Sequence, residues 1–95
     1  MNYKELTKLA EERIEYYMKE AKKFESPTRA DHAQMFCSFA FGSYQLWAAI
    51  VRTMALNNKT KGEVMMQRIN QQSEKFEEMM DKKKIPALKH LYKDS

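Results

Sequence analysis

The sequence predicts an all-α fold: an antiparallel bundle of three long helices with a short fourth helix at the C-terminus. Three observations carry that prediction. Apolar residues recur at spacings of three and four through most of the 95 residues, the repeat of an amphipathic helix. Two Gly and two Pro are too few for a turn-dense β chain. The breaks in the repeat are sharp and short, at Ser26-Pro27, Asn57-Asn58-Lys59 and Ile85-Pro86.

The first helix is expected over residues 2–25. Tyr3, Leu6, Ala10, Ile14, Tyr17, Ala21 and Phe24 fall on one stripe, and the charged residues lie opposite. Those charges number six acids and six bases, with pairs such as Glu15 and Lys19 spaced to support an exposed helix. This face reads as solvated. Ser26-Pro27 then stops one helix and starts the next, because Pro disfavours a helical residue before it and is welcome in a first turn, where Ser26 serves as N-cap.

The second helix, roughly 27–57, is the most informative segment. From Ala30 to Leu56, eighteen of twenty-seven residues are apolar, and no charge appears from Ala33 to Val51. At 100° per residue, Ala33, Phe36, Cys37, Ala40, Tyr44, Trp47, Val51 and Met54 form one broad face. Met35, Phe39, Leu46 and Ile50 form a second face beside it. The remaining sector holds Ser38, Gly42, Gln45, Ala49 and Arg52, with Phe41 and Ala48 among them. A helix this apolar belongs at the centre of a bundle or in a membrane. Gln34, Ser38, Ser43 and Gln45 dilute the run, and Arg52 enters any window long enough to span, so no membrane span is expected.

Thr60 and Glu63 have the spacing of a capping box, which starts a third helix running to about Lys83. Met65, Ile69, Gln72, Phe76 and Met79 follow the 4, 3, 4, 3 spacing of a coiled-coil seam. Lys82, Lys83 and Lys84 suit the helix's C-terminal carbonyls. Residues 87–92 make the short final helix, with Leu88, Leu91 and Tyr92 closing the bundle's end.

No repeat, linker or low-complexity tract divides residues 1–95, so one domain is expected. A single Cys excludes a disulfide scaffold, and charges at Lys4 and Glu5 interrupt any secretory core, which points to a cytoplasmic protein. Eight Met and eleven aromatics outnumber Leu, Ile and Val, the composition of an adaptable packing surface. Each covering helix offers one stripe while helix two offers two apolar faces, so a homodimer with helix two near its interface is expected.

Catalytic chemistry finds no footing. His32 and His90 have no metal-ligating partner at helical spacing, and Cys37 lies on the dense apolar face, where a thiol is inert. Glu74, Glu77, Glu78 and Asp81 are interspersed with lysines and read as a solvated face. No metal, cofactor or enzymatic activity is expected.

Binding is the class that remains. Phe39, Phe41, Tyr44 and Trp47 are candidate aromatic anchors for a larger protein, with Gln45 and Arg52 as polar contacts. An adaptor or inhibitor would have this form. The alternative is a nucleic-acid-associated regulator using the basic C-terminal third, where nine Lys and Arg face six acids after residue 58. Lys82, Lys83, Lys84 and Lys89 are its candidate phosphate contacts, and Lys93 extends the run.

Overall fold

The computed structural model describes residues 1–92, and Lys93 lies outside the described residues. Three α-helices form: α1 (Tyr3–Lys22), α2 (Ala30–Leu56) and α3 (Gly62–Met79). α2 packs against both of the others, while α1 and α3 touch each other much less. Antiparallel pairing of α1 with α2 follows from contacts at both ends, Trp47 with Thr7 and Phe36 with Phe24. α3 also runs antiparallel to α2, pairing Phe76 with Trp47 and Gly62 with Ala55.

Local chemistry sets the helix ends. α1 starts in a capping box: Asn2 Oδ1 accepts the Glu5 N–H at 2.8 Å, and Glu5 Oε1 accepts the Asn2 N–H at 3.4 Å. Ser26 caps as expected, but what it caps is a single 3-10 turn, Pro27–Arg29, and α2 proper begins at Ala30. The Thr60–Glu63 capping box does not form. Asn58 takes its place, its side-chain oxygen accepting the N–H groups of Thr60 at 3.2 Å and Lys61 at 2.9 Å. Asn turns the chain two residues on as effectively as Thr caps it, and here it acts first. Gly62 is required at the start of α3, because a Cβ there would lie 2.7 Å from the Ala55 carbonyl oxygen.

α3 stops at Met79, earlier than expected. The lysine run forms a separate 3-10 turn, Lys82–Lys84, whose cap is Asp81, with Oδ1 accepting the Lys83 N–H at 3.0 Å. Among the described residues a fourth α-helix is not formed; residues 89–91 make another single 3-10 turn. Ile85, Ala87 and Leu88 are nonetheless buried, and Tyr92 packs against the core, while Leu91 faces solvent.

The core lies where the three helices meet. α1 contributes Ala10, Ile14, Met18 and Ala21; α3 contributes Ile69, Phe76 and the polar Ser73. Ser73 is buried where the seam spacing placed Gln72, which is half-buried, and the Ser73 hydroxyl has no hydrogen-bond partner among the described residues. α2 contributes Ala33, Cys37, Ala40, Trp47, Ala48, Val51 and Ala55. Ala48, expected on the outer sector, is therefore core. The molecule is elongated and thin, with principal-axis extents of 51 × 27 × 14 Å and a radius of gyration of 15.3 Å. A compact chain of this length has a radius near 12 Å.

Among the described residues, no helix is long and apolar enough to cross a membrane.

Candidate functional site

The 14 Å thickness has a direct cause: α1 and α3 cover one side of α2 only. Its other half is bare along the uncharged run. Met35 is 44% exposed, Phe39 46%, Phe41 49%, Leu46 64% and Ile50 38%. Ser38, Gly42, Gln45, Ala49 and Arg52 are exposed between them.

Of the predicted anchors, Trp47 does not belong to this surface. It is 1% exposed, stacks edge-on against Phe76 at 4.9 Å, and its indole N–H donates to Thr7 Oγ1 at 2.9 Å. Trp47 ties α1, α2 and α3 together. Tyr44 is half-buried beside it, with its hydroxyl 3.4 Å from Glu77 Oε1.

Phe39, Phe41, Gln45 and Arg52 are all exposed, but they do not make one patch. Phe39 and Phe41 are two residues apart, about 200° around the helix. Phe39 turns toward α1, its ring 5.5 Å from Tyr17. There it lies in line with Met35, Leu46 and Ile50, an apolar flank that continues onto exposed Leu9. A groove of about 300 Å³ runs between this flank and α1, walled by Leu9, Arg13 and Tyr17 on one side and Leu46 and Ile50 on the other.

Phe41, Gln45 and Arg52 occupy the opposite flank. Phe41 borders a cleft of about 400 Å³ formed with Cys37, Gln45, Met80 and Lys82. The cleft is apolar at its floor, with two amide side chains and one ammonium at its rim. Cys37 is buried, and burial pushes its thiol above the ordinary value of 9.0, with nearby Lys82 pulling weakly the other way. It contributes a small apolar surface to the cleft.

The lysines of the C-terminal third are scattered. A 3-10 turn advances three residues per revolution, so three consecutive side chains leave in three directions. Lys82 reaches the Tyr92 ring, 5.6 Å from its centroid, while Lys84 joins Lys19, Lys22, Glu15 and Glu78 on another side. Lys89 is exposed in the last turn. Cations converge somewhere else, in a cleft of about 350 Å³ between α1 and α3 that gathers Lys4, Lys8, Arg68 and Lys75 around Glu11. The Arg68 guanidinium sits 4.7 Å from the Tyr3 ring centroid. This convergence was readable in part: positions 4 and 8, and 68 and 75, are helical spacings.

Among the described residues, no three His, Cys, Asp or Glu side chains gather to hold a metal ion. His32 pairs with Asp31, Nδ1 to Oδ1 at 3.1 Å, and lies against the Phe24 ring. Hydrogen bonds from His32 hold the Asp31 carboxyl below the usual range. Neither group faces any of the clefts described above.

No protein-family model, curated protein or solved structure matches this chain.

Proposed function

We propose that this chain is a small cytoplasmic, non-enzymatic interaction module of the adaptor or inhibitor type, which self-associates and docks on a larger protein through the outer half of α2. The observation that carries the reading is the row of four large apolar side chains, Met35, Phe39, Leu46 and Ile50, left 38–64% exposed along one flank of the uncharged run, with Phe41 49% exposed on the other flank. Monomeric proteins rarely leave so continuous an apolar surface to water. The polar flank fits the larger partner best. Its cleft accepts an apolar side chain beside Phe41, Lys82 at the rim favours a carboxylate near that side chain, and Arg52 offers a second cation further along the same flank.

Capture from the native host's lysate tests this. Wild-type protein, Phe41→Ala and Arg52→Ala serve as baits, and the lysate is split into nuclease-treated and untreated halves. The expected outcome is one protein enriched in both halves by the wild type and reduced at least about tenfold by either substitution. The circular-dichroism spectra stay unchanged, because both side chains are exposed. Enrichment that survives both substitutions would remove the polar flank as the docking site. Enrichment that vanishes with nuclease would favour the nucleic-acid reading, with the Lys4, Lys8, Arg68 and Lys75 cleft as its contact in place of the scattered lysine run.

A further inference from the structure

Resting on the reading of α2's outer half as an association surface, we propose that the apolar flank is covered by a second copy of this chain, with the two α2 helices packed antiparallel across a two-fold axis between Gly42 and Ser43. The polar flank, with Phe41 and Arg52, then stays open for the larger partner.

The sequence of the flank is self-complementary about that point. Met35 and Ile50 are equidistant from it, and so are Phe39 and Leu46. A two-fold contact requires the same patch to serve both sides. In this register Met35 meets the partner's Ile50, and Phe39 meets the partner's Leu46. The partner's Phe39 is thereby placed over the groove of about 300 Å³ between α1 and α2, beside Leu46 and Leu9.

The middle of the contact permits close approach. Gly42 has nothing within 4 Å of where its Cβ would stand. Ser43 already donates its hydroxyl proton to the Phe39 carbonyl at 3.0 Å, so covering it orphans no donor.

Surface area points the same way. The chain exposes 6758 Å². A compact monomer of 11.3 kDa exposes about 5,700 Å². The excess of about 1,000 Å² is close to the roughly 800 Å² that each partner contributes to a standard interface.

Sedimentation velocity on the full chain tests the proposal. The wild type is expected to sediment at twice 11.3 kDa. Leu46→Arg, at the centre of the exposed flank, is expected to weaken self-association by about 100-fold or more while retaining its helical spectrum. Phe41→Arg, on the other flank, should leave the dimer intact. Phe39→Lys and Leu46→Glu should each be monomeric alone and re-form a dimer when mixed, because only the antiparallel register brings the two new charges together. A wild type that stays monomeric up to about 100 µM overturns the proposal, as does a dimer indifferent to Leu46→Arg. A dimer whose two variants fail to recover on mixing overturns the antiparallel register. None of these outcomes bears on capture through Phe41 and Arg52, so the two readings fail separately.

Discussion

The two halves of α2 carry opposite kinds of side chain. Toward α1 and α3 it presents Ala33, Cys37, Ala40, Ala48, Val51 and Ala55, with Trp47 the one bulky residue among its buried positions. Toward solvent it presents Met35, Phe39, Phe41, Leu46 and Ile50. Small residues draw neighbouring helices close and make a tight contact of limited area. Large residues left outside withhold their burial energy, about 1–2 kcal/mol each for a side chain still half covered. A chain whose stability mattered only as a monomer would gain by the reverse arrangement. The difference separates two tasks along one helix: the inner half closes the fold, and the outer half holds surface in reserve for association.

The hardest test of that separation compares adjacent residues. Trp47→Ala removes the stack on Phe76 and the hydrogen bond to Thr7. It should cost about 3–5 kcal/mol, a large part of a small domain's stability. Leu46→Ala, one residue away but outside, should change the unfolding free energy of the isolated chain by no more than about 0.5 kcal/mol. Urea unfolding followed by circular dichroism at low protein concentration decides it. Equal costs would break the division.

The two glycines sharpen it with opposite signs. Gly62→Ala forces a Cβ to within 2.7 Å of the Ala55 carbonyl oxygen, which is backbone and cannot swing away. A loss of about 1–3 kcal/mol is expected. Gly42→Ala meets nothing within 4 Å and should stabilise the monomer by up to about 1 kcal/mol through helix propensity. The same urea midpoints report both.

The smallest effect is a pH dependence belonging to the inner half. Burial raises the Cys37 thiol above its ordinary 9.0, so the unfolded chain loses that proton first as pH rises. The contribution is fully present below the unfolded value and is lost as pH climbs toward the folded one. Between about pH 8 and about pH 10, wild type should lose more stability than Cys37→Ala. Parallel slopes would mean that the thiol is hydrated in the fold.

Most of the inner half was legible in the sequence. Periodicity placed Ala33, Cys37, Ala40, Trp47 and Val51 on one face, and all are buried. Periodicity describes faces and not neighbours, so it could not tell which of two adjacent apolar faces α1 and α3 would cover. Phe39 and Phe41 were grouped by type, although their 200° separation on a helix was already implicit in their numbering. The ends of α3 were decided by local caps that periodicity does not rank. Asn58 displaced Thr60, and Asp81 drew the lysines into a turn of their own. Ser73 carried no signal of burial, since a hydroxyl without a partner is what an interior ordinarily avoids.

Trp47 is the only tryptophan in the chain, and its indole is bonded to one helix and stacked on another. Its fluorescence is therefore a built-in reporter. Detachment of α1 or of α3 would each let water reach the ring and shift its emission to the red. Events at the cleft beside Phe41, on the flank of α2 that Trp47 does not line, would leave the ring sealed and the spectrum unchanged. One optical signal, needing no label, can separate binding at the surface from loss of the fold beneath it.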